Sequence, residues 1–292
     1  MNTTMNTVNQ TFDWSRFTAT LRKEVVENWR TILFTVVGVY ALLAIVMILG
    51  NAIMGISGGE TPTIDTDGNG IFPVHYIVVG YILAFAGTIV ASLSFKKLTK
   101  KTGRIDMFTS PSSTFEKFLV NIVIYVLGFI VVFFICAQLA DLTRIAILWY
   151  FHDRISVPGP INFLATFSQA YNFGEGSPAS LTGMSNLFPI AILCSCGMFF
   201  MGSVLWPRLS FLKTFAAVYA VEIVIGILML ITMAIMGENG IIKLAQWLKD
   251  NVTETTIKIL YATFMIGQLI LFWGLSWFLF KRKDVISLKW WK

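Results

Sequence analysis

The sequence predicts an all-α integral membrane protein with six transmembrane helices. Hydrophobic residues make up 56% of its 292 residues and charged residues only 13%, whereas a soluble domain carries about 25% charged residues. Six apolar stretches have the length that a helix needs to cross a hydrocarbon core about 30 Å thick. The predicted spans are residues 31–54, 74–93, 118–140, 187–206, 215–236 and 259–280.

The distribution of basic residues predicts how these spans are oriented. Most of the 22 Lys and Arg residues lie on one side of the spans, and positive charge concentrates in cytoplasmic loops. Both termini are therefore predicted to be cytoplasmic. The net charge of +6 does not indicate nucleic-acid binding, because the basic residues cluster at the ends of apolar spans. The few basic residues on the other side are Arg144, Arg154, Lys243, Lys249 and Lys258.

Two amphipathic segments are predicted, one before the first span and one before the last span. Residues 14–30 carry aromatic and aliphatic side chains at helical spacing among charged ones, with Asp13 as a plausible N-cap. This pattern is typical of a helix lying in the membrane interface; the alternative is a solvated helix that merely precedes the first span. Residues 238–254 predict a similar helix on the outer side, before the last span. The predicted organisation is a tail with the interfacial helix (1–30), one six-span domain (31–280) and a basic tail (281–292).

The loop of residues 95–117 is strongly basic and too long for a simple turn between two spans. Residues 104–107 are predicted to form a short helix. The helix cannot continue past Ser110, because Ser110 precedes Pro111 and a residue before proline is disfavoured in the helical region. Ser112, Ser113 or Thr114 would cap the next helix. Glu116 would then lie near the positive end of that helix.

The predicted outer loops offer one weak candidate for a metal site. Asp65, Asp67 and Asn69 match the first half of a calcium-binding loop, and Glu60 is a possible further ligand. The position of the expected bidentate Glu is occupied by Tyr76, so an Asx/Gly turn is the simpler interpretation. The loop of residues 141–185 is long, with apolar patches at 145–151 and 161–173 that are too short to cross a membrane.

No catalytic motif is recognisable, and no cofactor site is predicted in this chain. There is no P-loop, metalloprotease or nucleophile-elbow pattern. The three cysteines lie in apolar stretches, where they behave as small apolar residues more often than as ligands. They are Cys136, Cys194 and Cys196.

Glu222 is the one acidic residue well inside a predicted span. Because a charge at that depth costs roughly 2.5–3.5 kcal/mol on insertion scales, this side chain should face other helices or a watery cavity. One interpretation is a group that lines a translocation path. The other is a protonated carboxyl that only fixes helix packing.

Taken together, these features resemble the membrane subunit of ABC type-2 exporters, the six-helix permeases of the type V exporter architecture. Residues 108–119, FTSPSSTFEKFL, are similar to the family's "lPaSrxEKflar" stretch that enters the third span. Residues 17–30 look like the connecting helix, and residues 280–283 like the basic exit from the last span. The outer loop of residues 141–185 is long and does not match a typical member.

The resemblance implies a non-catalytic permease in a bacterial inner membrane. Its partners would be a separate ATPase subunit, which binds ATP and Mg, and a second permease copy or a homologous permease. Glu222 would line the translocation path. A stand-alone secondary transporter and a non-transporting scaffold are the alternatives. The residues implied in contact with the ATPase are Arg104, Ile105, Asp106, Met107, Phe108, Thr109, Ser110 and Glu116.

Overall fold

The computed structural model describes residues 12–56, 73–150, 188–251 and 253–283, which are almost entirely helical and include no strand. A 3-10 turn, Lys96–Thr99, lies between α2 and α3, and a π-helical turn, Val123–Gly128, joins α4 to α5. The helices of the described residues are α1 (Trp14–Ile56), α2 (Pro73–Ser92), α3 (Lys101–Thr109), α4 (Thr114–Ile122), α5 (Phe129–Tyr150), α6 (Phe188–Leu205), α7 (Ser210–Asn251) and α8 (Glu254–Lys281).

In this part of the chain, four helical segments are long and apolar enough to cross a membrane. Shorter apolar helices, Val78–Ser92 and Pro189–Leu205, coincide with the other two predicted spans. The all-helical class is confirmed, with these four segments as candidate spans. They are Trp14–Leu49, Thr114–Ile147, Ser210–Gly237 and Lys258–Lys281.

Helix α1 runs without interruption through the boundary predicted at residue 30. Its 43 residues correspond to about 64 Å, roughly twice the thickness of a hydrocarbon core. The expected interfacial helix is therefore the first part of the same helix that contains the first predicted span. The Asp13 carboxylate accepts hydrogen bonds from the backbone N–H groups of Ser15 (2.8 Å) and Arg16 (3.3 Å), as an N-cap does.

Helix α5 extends past the end predicted for the third span at residue 140. It continues to Tyr150, so residues 141–150 are helical rather than part of an outer loop. The segment contains no Gly or Pro to end the helix, and the Arg144 Nε–H donates to Asp141 Oδ1 at 2.7 Å along one helix face. The other patch predicted in this loop, residues 161–173, lies outside the described residues.

Helix α7 breaks at Gly237, whose φ of 64° and ψ of 172° are not helical. Glycine adopts this positive φ without the steric cost that a Cβ would add. The helix resumes and ends at Asn251, within the segment for which the amphipathic outer helix was predicted.

The buried core runs along α1, α2, α5 and α6, and its aromatic part lies near the ends of α2, α4, α6 and α8. Helix α6 packs against α2, α7 and α8, while α1 packs along α5. The aromatic core, defined here as Phe95, Phe118, Phe200 and Phe280, is almost fully buried. The centroid of the Phe95 ring lies 5.1 Å from that of Phe200 and 4.9 Å from that of Phe280. This core fixes the ends of α2, α4, α6 and α8 beside α3.

Candidate partner-docking site

The start of α4 follows from local sequence signals. Helix α3 ends at Thr109, and Ser110 before the proline has the extended ψ of 138° that such a position favours. Ser113 is the N-cap of α4: its Oγ accepts from the N–H of Glu116 (3.1 Å), and Glu116 Oε2 accepts from the N–H of Ser113 (2.7 Å). Ser113 is therefore the cap among the three candidates Ser112, Ser113 and Thr114, and it forms a capping box with Glu116.

Glu116 also joins α4 to the start of α1. Its Oε1 accepts from the backbone N–H of Asp13 at 2.7 Å and lies 3.2 Å from Nη2 of Arg16. The Glu116 side chain is 0% exposed, and a carboxylate so placed is tolerated only when it is paired and hydrogen-bonded. Glu116 therefore cannot touch a docking partner and instead positions α4 against α1.

A second ion pair joins α3 to α1. Lys23 Nζ donates to Asp106 Oδ1 at 2.7 Å. This hydrogen bond, together with the positive charge of Lys23, holds the pKa of Asp106 below its ordinary value despite partial burial. Asp106 is thus a charged anchor of α3, and about half of its side chain stays exposed.

A third set of ion pairs joins the 3-10 turn to α1. Lys97 Nζ lies 2.7 Å from Glu24 Oε2 and 2.6 Å from Glu27 Oε2. Burial lowers the pKa of Lys97, but its hydrogen bonds to Glu24 and Glu27 outweigh that effect, and the pKa lies above its ordinary value. The α1 junction, defined here as residues 13–27 together with residues 96–116, is therefore tied by charge at three separate places.

Helix α3 has one face outward and one face inward. Ile105, Asp106 and Thr109 are exposed, and Ile105 is an apolar side chain 42% open to solvent. On the inward face, Met107 and Phe108 are partly buried, and the Phe108 ring stacks 6.4 Å from that of Phe280.

Of the other residues predicted to contact the ATPase, Arg104 is partly buried on α3. Ser110 is partly buried just after α3, and its carbonyl accepts from Lys117 Nζ at 3.0 Å. The structure brings the predicted contact residues together, with Glu116 beneath them.

Gly103 allows α3 to lie close to the 3-10 turn. A Cβ at this position would collide with the backbone carbonyl oxygen of Lys97. Because that oxygen belongs to the backbone, it cannot move aside as the end of a flexible side chain can. The glycine is therefore a structural requirement of the junction.

Gly103→Ala is expected to destabilise this junction by about 1–3 kcal/mol, the usual cost of overpacking. Thr102→Ala is the matched control, because Thr102 is the exposed neighbour on the same helix. The measurement is the midpoint of thermal unfolding in a mild detergent. Equal midpoints for the two variants would show that α3 does not need the close approach.

Glu222 is not part of this junction. It lies twelve residues after the start of α7, about 18 Å along the helix axis. From Tyr219 to Gly237, every residue of α7 is exposed within the single chain. Helix α7 contacts α6 and α2 through its first turns, where Ser210 and Thr214 are buried. Glu222 is therefore an exposed acidic side chain among apolar side chains of α7, on a part of the helix that no other described element of the chain covers.

Sequence reasoning missed several charged side chains that the fold pairs. The sequence predicts Arg16, Lys23 and Lys97 only as basic residues of a cytoplasmic surface, because their partners lie 70 to 100 residues away. The sequence predicts an outer loop for Asp141 and Arg144, yet both side chains are almost fully buried on α5. Their spacing of three residues was the only local signal for this pair.

The described residues include no group of three or more His, Cys, Asp and Glu side chains suited to hold a metal ion. The Cys136, Cys194 and Cys196 thiols are free and buried, and the Cys194 thiol donates to the Met265 carbonyl at 3.2 Å. The calcium candidates Asp65, Asp67 and Asn69 lie outside the described residues.

Comparison with protein-family models, curated proteins and solved structures gave no match. The class of protein that the fold defines is an all-helical chain with several helices suited to a membrane. The α1 junction and Glu222 are the features that bear on a more specific function.

Proposed function

We propose that this chain is the permease subunit of an ATP-driven exporter, in which a separate ATPase subunit docks on the outward face of α3. The observation that carries the proposal is the attachment of α3. Its outward face exposes Ile105 and Thr109, while ion pairs, including that of Asp106 with Lys23, and a capping box bind α3 and its surroundings to α1 and α4. A push on α3 would thus reach two candidate spans at once.

In this proposal the chain supplies no ATP chemistry. The ATPase subunit would bind ATP and Mg and would convert nucleotide binding into movement of α3. The permease would cross the bacterial inner membrane six times, with α2 and α6 as the second and fourth spans. Both termini would be cytoplasmic, on the same side as α3. The basic residues around α3 support this orientation.

A second copy of the chain would complete the translocation path along α7. The apolar side chains of α7 can face lipid, whereas exposure of the Glu222 carboxyl to hydrocarbon is unfavourable. Contact with a second α7 would remove the carboxyl from hydrocarbon. Gly226, one turn further along, meets no atom that a Cβ would approach, and a glycine lets two helices come close in a membrane.

Ile105→Glu tests the docking of the ATPase subunit. Because Ile105 is exposed, the variant is expected to fold normally, while a carboxylate at the centre of the contact should lower recovery of the ATPase subunit at least tenfold. The measurement is affinity purification of the tagged chain from its native membrane, with quantification of the recovered ATPase subunit by mass spectrometry.

Ile105→Val is the matched control, since it keeps an apolar side chain at the same position and should retain the ATPase subunit. If no nucleotide-hydrolysing protein is recovered with the wild-type chain, the exporter proposal fails, and a membrane scaffold that transports nothing becomes the better hypothesis. If Ile105→Glu keeps the ATPase subunit at the wild-type level, docking is not on this face of α3.

A further inference from the structure

The turn between α6 and α7, residues 206–209, presents apolar side chains at an end of two apolar helices. Leu209 has a φ of 56°, the one positive φ among the described non-glycine residues, and its side chain is 64% exposed. This conformation is uncommon for a bulky residue. Leu212 is 60% exposed in the first turn of α7, and Trp206 is 38% exposed at the end of α6.

Two exposed cations accompany these leucines. Arg208 precedes Leu209, and Lys213 follows Leu212. Within the described ranges, neither Arg208 nor Lys213 forms an ion pair. They differ in this from Lys23 and Lys97, which are held by carboxylates of α1 and α3.

The 3-10 turn adds two more cations to the same surface. The Thr99 hydroxyl donates to the carbonyl of Pro207 at 3.1 Å, which places the two turns side by side. Lys96 and Lys100 flank this contact, are exposed, and form no ion pair with any described carboxylate. Lys97, between them, is already engaged by Glu24 and Glu27.

We infer that this surface binds the headgroups of anionic phospholipids. The anionic-lipid surface is defined as Lys96, Lys100, Arg208 and Lys213 with Leu209 and Leu212. A candidate span begins at Ser210, so the two leucines mark the depth at which hydrocarbon gives way to headgroups. The cations beside them lie where lipid phosphates lie, and long basic side chains extend to that level.

Charge complementarity favours lipid over a protein partner here. Anionic lipids supply the negative charge that would pair with these cations. Each basic residue near an anionic membrane surface strengthens binding to that surface about fivefold. The exposed leucines and Trp206 match the composition of a membrane interface. This inference is separate from the exporter proposal, since it requires a membrane but no ATPase subunit.

The test compares lipid retention by the full-length chain in detergent, measured by native mass spectrometry. The probes are phosphatidylglycerol and phosphatidylcholine at equal concentration, with inorganic phosphate added as a competitor in a third arm. The wild-type chain should retain phosphatidylglycerol preferentially. The double variant Arg208→Gln with Lys213→Gln should retain it at least tenfold less, since two cations are lost.

The matched control is Arg22→Gln with Lys281→Gln, which removes the same charge from exposed positions outside the anionic-lipid surface and should lower the retention of phosphatidylglycerol much less. Should the first double variant fail to fold, Lys96→Gln with Lys100→Gln addresses the same surface. The inference is overturned by equal retention of both lipids or by an equal loss in the control. It is also overturned if inorganic phosphate displaces the lipid, or if the variant loses an ATPase subunit while its lipid retention is unchanged.

Discussion

Replacing Glu116 with glutamine is expected to lower the free energy of unfolding by about 2–4 kcal/mol. The Glu116 carboxylate accepts hydrogen bonds from the backbone N–H groups of Asp13 and Ser113 and forms an ion pair with the guanidinium of Arg16. Glutamine offers one acceptor oxygen and turns an NH₂ group toward donors that it cannot satisfy. The measurement is the midpoint of thermal unfolding in a mild detergent, converted to a free-energy difference.

Glu27→Gln is the matched control for this prediction. The Glu27 carboxylate is 40% exposed and shares Lys97 with Glu24, and an exposed pair contributes little to stability. Its loss should change the free energy of unfolding by about 0.5 kcal/mol or less. An equally small effect of Glu116→Gln would mean that the contact between α1 and α4 is not a structural requirement.

A variant of lesser effect separates the cap from the ion pair. Ser113→Ala removes the hydroxyl that accepts from the Glu116 N–H but leaves the Glu116 carboxylate with Arg16. Loss of an N-cap costs about 1 kcal/mol. The difference between this value and that of Glu116→Gln measures how strongly Glu116 holds α1 and α4 together. A large difference would support the proposal that force on α3 reaches both helices.

Local features of this junction were predictable from the sequence, because their causes are local. A proline ends α3, and a serine followed three residues later by a glutamate starts α4. The composition also predicted an all-helical protein with long apolar segments. Each of these signals involves residues close together in the chain, so no knowledge of the fold was needed.

The long-range pairing was not predictable, because charge alone does not specify a partner. Lys23 and Asp106 are 83 residues apart, and many other pairings of the basic loop were equally compatible with the sequence. The continuity of α1 was missed for a different reason. Its first turns are amphipathic and its later turns apolar, and this change of composition suggested two elements where the backbone forms one.

Glu222→Leu is expected to weaken self-association of the chain in lipid bilayers about tenfold. A carboxyl in hydrocarbon costs roughly 2.5–3.5 kcal/mol, and contact between copies along α7 would relieve part of that cost. Leucine removes the cost from the separate chain, so the gain on association disappears. Polar contacts between membrane helices contribute about 0.6–2 kcal/mol, which brackets a tenfold change. Energy transfer between labelled chains in vesicles measures the association.

Two further variants show whether the effect belongs to the face of α7 that carries Glu222. Glu222→Gln keeps a hydrogen-bonding group and should associate nearly as the wild type does. Val224→Leu changes a position about 200° around the helix and should have no effect. If Glu222→Leu associates as strongly as the wild type, Glu222 does not lie at a contact between copies. The second copy would then have to meet the first along another helix.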